Sequence, residues 1–389
     1  MKVGLVSPYD YGRPGGVGEH VRHLAAELRR QGVEVKILAP SAGGKEPRVE
    51  GLYSLGRPIP IPANGSVARI SLSFHLARKI REVLDQERFD VVHLHEPLMP
   101  ALPVTVLRSN TEGVNVGTFH AYARQNLGYY YGRPLLRRLF RRLDACIAVS
   151  EPAKTFVSRY FPADYTVIPN GIDPLRFNPA VPPAEGVARP RRLTILFLGR
   201  LEERKGLGTL LEAYSLLRQV RADCQLVVVG DGPFRRGYER RVEEEGIPDV
   251  RFCGFIPEAD KPGYFTAADI YCAPNTGKES FGVILLEAMA TGRPVVATAI
   301  DGFRQVITDG EEGLLTPPGD EAQMAAALAK LLDSPQLRRQ MGERGRRAAA
   351  GYAWPLVADR VMSVYESALR ARSHPEVSSF VQPSAASIR

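Results

Sequence analysis

Residues 193–206 run Leu-Thr-Ile-Leu-Phe-Leu-Gly-Arg-Leu-Glu-Glu-Arg-Lys-Gly, and this stretch decides the fold. The apolar run Leu193–Leu198 predicts a buried strand, and the spacing of apolar residues over Leu207–Val220 predicts a helix after it. The chain begins in the same order, because an apolar run at Lys2–Ser7 precedes helical spacing over Val17–Gln31. Because the order of a strand followed by a helix occurs at the start of the chain and again in its middle, the sequence indicates two α/β domains in series.

Short apolar runs alternate with helical patterns through both halves, which predicts two doubly wound parallel sheets covered on both faces. Ligands of such sheets bind beyond the carboxyl ends of the strands, so two facing sheets predict a cleft site between the domains. The remaining strand predictions are Val33–Ala39, Asp90–His95, Val114–Thr118, Asp144–Val149, Tyr165–Ile168, Gln225–Val229, Val250–Phe252, Ile270–Cys272, Val295–Ala297 and Gly313–Leu315, and the other core helices are Phe281–Ala290 and Glu321–Leu332.

A proline-rich segment without periodicity, Asn178–Arg192, predicts the linker between the domains. We therefore expect an N-terminal domain over residues 1–180 and a second domain over residues 181–352. An apolar stripe over Trp354–Arg372 predicts a last helix, and the Ser- and Pro-rich residues 373–389 predict a disordered tail.

Composition excludes several classes of protein. The 389 residues include only four cysteines, without a CxxC pair, and contain no apolar run of the ~20 residues that a membrane-spanning helix needs. The N-terminal apolar run breaks at Pro8, which argues against an export signal and favours the cytoplasm. The net charge of +8 is uneven, because residues 1–185 hold 24 Lys and Arg against 17 Asp and Glu. This excess favours an acidic partner for the first half, either a membrane face or nucleic acid.

One candidate anion-binding segment follows the first strand of each half of the chain. The first segment is rich in glycine, and the second carries two candidate cations. Gly15 and Gly16 precede the first helix, where free backbone amides attract an anion; the alternative is a plain strand-to-helix turn. The dinucleotide pattern GxGxxG is absent, which argues against a nicotinamide cofactor. Arg200 and Lys205 follow the strand that ends at Leu198, where two cations can stabilise a diphosphate leaving group; ordinary surface charge is the alternative.

The segment Glu279–Gly292 is the most specific, because it places Glu279 before a helix and Glu287 inside it. Carboxylates often accept hydrogen bonds from sugar hydroxyls in nucleotide sites, so the two predict contacts with different parts of one extended ligand. We expect the amides of Ser280 and Phe281 to open this helix and hold a phosphate. The alternative is an N-terminal charge favoured by the helix dipole, plus a solvated Glu.

Histidines and arginines mark the first half. His120 follows a predicted strand and is a candidate for the cleft, whereas His93 and His95 share a strand face without further clear ligands, so we expect no metal site. Two predicted basic helices, Ser66–Arg88 and Arg133–Asp144, favour contact with anionic lipid; helices packed on their own sheet with solvated arginines are the alternative. Their candidate membrane residues are Arg69, Arg78, Lys79, Arg81, Arg137, Arg138, Arg141 and Arg142.

These motifs together resemble the retaining family 4 glycosyltransferases. The resemblance covers about residues 1–370 and rests on the N-terminal Gly-Gly loop, residues 168–173 (Ile-Pro-Asn-Gly-Ile-Asp), Gly199-Arg200 with Lys205-Gly206, and Glu279-Ser280-Phe281-Gly282 with Glu287. It implies the glycosyltransferase B-type fold, in which two Rossmann-like domains face across a cleft and the C-terminal helix, about residues 353–372, crosses back to the first domain. It also implies that the acceptor binds the first domain and a nucleotide sugar binds mainly the second.

Within that family the chain is similar to bacterial phosphatidylinositol mannosyltransferases, on Ser7-Pro8-Tyr9, His93-Leu94-His95-Glu96-Pro97, Thr118-Phe119-His120 and Tyr271-Cys272-Ala273-Pro274. The likeness implies that Gly15 and Gly16 meet the diphosphate of GDP-mannose and that Arg200 and Lys205 neutralise it. Glu279 would hold the mannose hydroxyls, Glu287 the ribose, His120 the reacting centre and Tyr9 the inositol ring, with Ser280, Phe281 and Gly282 completing the donor site.

This chain departs from that subfamily on the acceptor side. Position 18 is Gly where the subfamily has Gln, and residues 121–126 are Ala-Tyr-Ala-Arg-Gln-Asn where it has a Ser- and Thr-rich run; we place Arg124 with the acceptor residues. The resemblance predicts sugar transfer with retention, by a peripheral protein on the inner face of the cell membrane. We expect no tightly bound cofactor and leave divalent cation dependence open. UDP-glucose with diacylglycerol, inositol phosphate or a glycan as acceptor stays an alternative, as does, more remotely, a nucleic-acid-binding protein.

Overall fold

The computed structural model describes residues 1–12, 15–41, 50–63, 66–70, 76–123 and 125–373. The predicted tail and Arg124 therefore lie outside the described residues, apart from Ser373, which ends the last helix. Each of the twelve predicted strands is present, with ends that differ by at most two residues. The predictions succeeded because the central strands of parallel sheets are buried on both faces and are therefore continuously apolar.

The first half of the chain builds a seven-stranded parallel sheet in the order β3-β2-β1-β6-β7-β8-β9, with a separate antiparallel pair, β4 and β5. The strands are β1 Lys2–Val6, β2 Glu34–Ala39, β3 Leu52–Ser54, β4 Ile59–Ala63, β5 Ser66–Ile70, β6 Val91–His95, β7 Val114–Phe119, β8 Ala145–Ala148 and β9 Thr166–Val167. The helices are α1 Gly16–Arg30, α2 Ala77–Glu87, α3 Leu102–Ser109, α4 Leu127–Phe140 and α5 Glu151–Ser158.

The second half repeats the design as a six-stranded parallel sheet in the order β12-β11-β10-β13-β14-β15. Its strands are β10 Leu193–Leu198, β11 Cys224–Val229, β12 Val250–Gly254, β13 Ile270–Ala273, β14 Val295–Thr298 and β15 Gly313–Thr316. Its helices are α6 Leu207–Val220, α7 Arg235–Glu244, α8 Lys261–Thr266, α9 Val283–Ala290, α10 Glu321–Asp333 and α11 Pro335–Ala350.

The last helix, α12 (Trp354–Ser373), returns to the first sheet as predicted, where it packs on α1 and shares a core with β1 and β2. Backbone bonds fix the crossing, because Ile172 N donates to Tyr352 O at 2.9 Å and Trp354 N donates to Ile172 O at 3.1 Å. Gly171 makes this approach possible, since a Cβ there would lie 2.5 Å from the Trp354 ring.

Two sequence predictions about the basic helices are wrong in part. Ser66–Ile70 forms strand β5 rather than a helix, so Arg69 lies on that strand and α2 begins only at Ala77. The second helix covers Leu127–Phe140 instead of Arg133–Asp144, because Asn126 caps it by accepting a hydrogen bond from Tyr129 N at 3.0 Å.

Candidate active site in the cleft between the two sheets

A cavity of about 400 Å³ lies where the loops at the carboxyl ends of both sheets meet. Four of the predicted donor residues line it: Gly15 and Gly16 from the first half, and Arg200 and Glu287 from the second. Residues that the sequence prediction missed also line it, including His20, Asn170, Arg176, Phe255, Lys261 and Trp354. The cavity therefore draws on both sheets, which is where the strand order placed a ligand site.

The start of α1 offers backbone donors to this cavity. Gly15 is the N-cap residue and provides no side-chain cap, so the first amides of the helix have no partner within the helix. A Cβ built on Gly15 or Gly16 would meet nothing within 4 Å, so the space in front of these residues is open. Unpaired amides at the positive end of a helix suit an anion such as a phosphate.

Glu279 is held by three donors that the fold brings to one carboxylate oxygen. Its Oε1 accepts from Lys205 Nζ at 2.6 Å, from Arg204 Nη1 at 2.7 Å and from Asn275 Nδ2 at 2.9 Å. Burial alone would raise the pKa of Glu279, but the two cations lower it below its usual range. Glu279 is therefore a fixed anion, and Lys205 is paired with it.

Glu202 pairs with two arginines in the segment that follows β10. Its buried carboxylate pairs with Arg200 Nη2 at 3.0 Å through one oxygen and with Arg204 Nε at 3.0 Å through the other. Sequence reasoning missed both Glu202 and Arg204, although they stand beside the predicted Arg200 and Lys205. Gly206 has a positive φ, and its backbone lies against Pro274. A side chain is excluded at this position, since a Cβ there would lie 1.8 Å from Pro274 O.

Glu287 is buried and incompletely satisfied. Its Oε1 lies 3.7 Å from Lys261 Nζ, and its buried Oε2 has no hydrogen-bond partner among the residues that the structure describes. Burial raises the pKa of Glu287 above its usual range, and Lys261 offsets only part of this effect. A buried oxygen without a donor, on the wall of an open cavity, suits a ligand hydroxyl.

The predicted amides at the start of α9 are displaced by two residues. The helix begins at Val283 rather than Phe281, because Gly282 adopts a φ of 116° that helical backbone does not allow. Val283 and Ile284 line the cavity, whereas the Phe281 side chain is buried in the core of the second domain. Ser280 and Phe281 thus precede the helix instead of opening it.

Four histidines cluster at the carboxyl ends of β6 and β7. His120 does not line the cavity itself; its ring packs edge-on against His20, which does, with centroids 4.9 Å apart. His95 Nδ1 lies 2.9 Å from His120 Nε2, and His93 stacks on His95 with centroids 4.4 Å apart. Burial lowers the pKa of His20 to about 4 and of His93 to about 3, and it holds the pKa values of His95 and His120 well below their usual range.

Of the acceptor candidates, Tyr9 is half-buried at the end of β1. Burial raises the pKa of its hydroxyl, and the nearby Glu96 carboxylate raises it further. Glu96 in turn accepts hydrogen bonds from the amides of His120 and Ala121, each at 2.7 Å. Tyr9, Glu96 and His120 therefore belong to one region of the first domain.

Apart from Arg69 on β5, the candidate membrane residues lie on α2, on α4 and just after α4, and α3 packs against both of these helices. Arg78, Lys79 and Arg81 on α2 are exposed, as are Arg137, Arg138, Arg141 and Arg142 on and just after α4. The guanidinium of Arg142 is nevertheless held by the protein, since it donates to Leu107 O at 2.9 Å and to Asn110 O at 3.1 Å. The outer side of α4 also exposes large apolar residues beside these arginines. These residues are Leu127, Tyr130, Tyr131 and Leu135, each about two-thirds exposed or more.

Comparison with known proteins decides the family. Residues 14–176 match the family model described as Glycosyltransferase Family 4, and residues 183–348 match the model described as Glycosyl transferases group 1. Over 386 residues the chain is 40% identical to a phosphatidyl-myo-inositol mannosyltransferase of Mycobacterium leprae, an alignment that covers 97% of this chain and 100% of the relative. The chain belongs to the family 4 glycosyltransferases.

A second relative agrees with this assignment, and solved structures share the fold. A phosphatidyl-myo-inositol mannosyltransferase of Propionibacterium freudenreichii is 38% identical over 94% of both chains. The fold matches sucrose-phosphate synthase of Thermosynechococcus elongatus with a TM-score of 0.75 at 23% identity, over 95% of this chain and 100% of that one. Anabaena HepE in complex with UDP matches with the same TM-score at 20% identity, over 94% and 100%. The predicted enzyme class and the two-sheet fold are therefore confirmed.

Within the described ranges, this glycosyltransferase has no helix with the length and apolar character that crossing a membrane requires.

Proposed function

We propose that this glycosyltransferase moves mannose from GDP-mannose to phosphatidylinositol, with retention at the anomeric carbon, on the cytoplasmic face of the membrane. The observation that carries the proposal is the cavity shared by the start of α1, Arg200 and Glu287, with the Lys205–Glu279 pair beside it. The names of the relatives support mannose as the sugar and phosphatidylinositol as the acceptor, since those proteins are phosphatidyl-myo-inositol mannosyltransferases.

In this proposal the donor spans the cavity. The diphosphate lies at the amides of Gly15 and Gly16, where it meets Arg200 and Lys205, and Glu279 accepts hydrogen bonds from mannose hydroxyls. Glu287 accepts from a ribose hydroxyl through the oxygen that has no partner in the described protein. A structural neighbour, HepE, is known in complex with UDP-glucose, which supports a nucleotide sugar as the class of donor.

The reaction that we propose is attack from the same face as the departing phosphate. The acceptor hydroxyl approaches the anomeric carbon, and the leaving phosphate accepts its proton as the glycosidic bond to the diphosphate breaks. Arg200 and Lys205 stabilise the charge that develops on the diphosphate. His120 and Tyr9 lie on the acceptor side, and closing the cleft around the reactants would exclude water.

The basic and apolar surface of α2 and α4 supports a lipid acceptor. Arginines at the level of the phosphate headgroups and aromatic or leucine side chains at the acyl boundary are the features of a helix that lies on an anionic membrane. We therefore propose that residues 1–180 with 353–372 form the acceptor and membrane domain, and that residues 181–352 form the donor domain.

Mass spectrometry of reaction products tests the proposal. GDP-mannose and UDP-glucose are offered separately to the protein with vesicles that contain phosphatidylinositol, and vesicles of phosphatidylcholine alone serve as the control. We expect a mannosylated phosphatidylinositol from GDP-mannose alone. Donor breakdown without a lipid product would retain sugar transfer and exclude this acceptor, and a glucosylated product would exclude this donor.

A further inference from the structure

The carboxyl ends of β6 and β7 place His95 directly behind His120. In the sheet, His95 pairs with Thr118, so the residue two positions further, His120, follows at the same edge. His95 is fully buried and His120 is half-buried, and a single hydrogen bond of 2.9 Å joins His95 Nδ1 to His120 Nε2. One imidazole must donate this bond and the other must accept it.

The surroundings decide which ring donates. His95 Nε2 is buried and has no partner among the described residues, and His93 cannot supply one, because Tyr365 OH and Thr118 Oγ1 already occupy its nitrogens at 2.6 Å each. If the proton of His95 were on Nε2, a buried N–H would be left unpaired, whereas a proton on Nδ1 leaves only an unpaired acceptor. Orphaned buried N–H groups are rarer than under-satisfied acceptors, so His95 donates and His120 accepts.

The neighbouring residue fixes the backbone of His120. Glu96 follows His95 and accepts the amides of His120 and Ala121 on one carboxylate oxygen, at 2.7 Å each. Glu96 holds a positive φ of 51°, a conformation that a non-glycine residue adopts only when its surroundings impose it. The dipeptide His95–Glu96 therefore holds both the side chain and the main chain of His120.

A metal ion is the competing explanation of the cluster, because nitrogens of His20, His95 and His120 lie within 4.8 Å of one another. Two ligand nitrogens on a tetrahedral zinc with bonds of 2.0–2.1 Å are about 3.3 Å apart. His95 and His120 are closer than that and face each other along a hydrogen bond. The geometry fits a shared proton better than a shared ion.

We propose that His95 is a positioning residue that donates to His120 Nε2 and so presents His120 as a neutral imidazole with its proton on Nδ1, ready to donate to a hydroxyl oxygen of the sugar or the acceptor. This inference rests on the proposed function for the identity of the substrate. It makes His120 a hydrogen-bond donor in the reaction rather than a base, and low pKa values of both rings are consistent with neutral forms.

Histidine-selective ¹⁵N labelling with long-range ¹⁵N–¹H correlation tests the tautomer in the free protein, with the His120 signals assigned from a His120→Asn variant. The wild type should carry the proton of His120 on Nδ1. His95→Phe removes the donor, whereas His95→Asn retains an amide N–H close to the position of Nδ1. We expect Nε2–H in His95→Phe and Nδ1–H in His95→Asn. His93→Phe disturbs the same core without touching the bond and should keep Nδ1–H.

Kinetics with the donor and acceptor then test the role. His95→Phe should lower kcat about 10- to 100-fold, the range for losing one well-placed hydrogen bond, with KM for the nucleotide sugar changed less than about threefold. His95→Asn should recover most of kcat. A wild-type proton on Nε2, a His95→Phe variant with normal kcat, or bound zinc whose removal abolishes activity would each overturn the inference. Because the tautomer is measured without substrate, a failed transfer assay alone would count against the proposed function and not against this bond.

Discussion

Replacing Glu279 by Gln separates nucleotide binding from sugar transfer. Glu279 Oε1 accepts from Lys205 Nζ at 2.6 Å and from Arg204 Nη1 at 2.7 Å, so its charge already neutralises Lys205, one of the two cations that we assign to the diphosphate. GDP carries the diphosphate but no mannose. The variant should therefore bind GDP as tightly as the wild type or more tightly, although it should lose the contact with the sugar.

The size of both effects follows from the geometry. A phosphate on the far side of Lys205 Nζ would lie about 6 Å from Glu279, where two unit charges repel by about 3 kcal/mol at an effective dielectric constant of 20. Water screens part of this repulsion, so we expect GDP to bind up to about tenfold more tightly, which corresponds to 1.4 kcal/mol. A hydrogen bond to a charged group contributes about 1.5–3 kcal/mol, so transfer should fall about 10- to 100-fold.

Calorimetric titration with GDP and initial rates of mannosyl transfer measure the two effects in one preparation. Glu212→Gln is the matched control, because Glu212 also pairs with an arginine, Arg241 Nη2 at 2.9 Å, but lies on α6 outside the cavity lining. The control should change neither quantity. If Glu279→Gln weakened GDP binding more than tenfold, Glu279 would serve to orient the cations, and if transfer stayed normal, its assignment to the sugar would be wrong.

Three further predictions test the cavity and the surface. Gly16→Leu should leave the Tm within about 2 °C, because a Cβ there meets no other atom, but should weaken nucleotide binding at least about tenfold by filling the anion site; calorimetry checks both. Burial raises the pKa of Glu287 in the folded protein, so its ionisation opposes folding above the unfolded pKa near 4.5; Glu287→Gln should raise the Tm by about 2–4 °C at pH 8, and the gain should vanish as the pH falls below 4.5 in thermal scans. Arg138→Glu should weaken sedimentation with phosphatidylinositol vesicles about fivefold at low salt but little at high salt, whereas Tyr130→Ser with Leu135→Ser should weaken it at both.

The sheets were predictable because their strands are defined locally, whereas much of the site was not. Leu193–Leu198 and Val295–Ala297 are apolar on both faces and need no knowledge of their neighbours. The start of α9 depends on the φ of Gly282, which the packing of Phe303 beside it helps to set. Arg204 and Lys261 belong to no sequence pattern, since only the folded chain shows which carboxylate each one reaches.

The histidines illustrate the same limit. His20, His95 and His120 come from α1, the end of β6 and the residue after β7, so no spacing in the sequence connects them. In contrast, the true start of α4 carries a local signal, the Asn126 cap, that the helical periodicity of the following arginines concealed. Where a single side chain sets the start of a helix, the sequence is sufficient to predict it. Where a cluster draws on three elements, only the folded structure shows which residues meet.

The ion pairs of the cleft explain how the site can select a nucleotide sugar over a free anion. Lys205 is paired with Glu279, Arg200 with Glu202, and Lys261 with Glu258 at 2.8 Å, so a bare phosphate must compete with carboxylates already in place. In the proposed binding mode a nucleotide sugar offers more, because its mannose hydroxyls donate to Glu279 while its diphosphate draws Lys205 away from that carboxylate. On this proposal both the diphosphate and the sugar are needed to satisfy Lys205 and Glu279 together, and a bare phosphate, which has no sugar hydroxyls, leaves Glu279 without its partner.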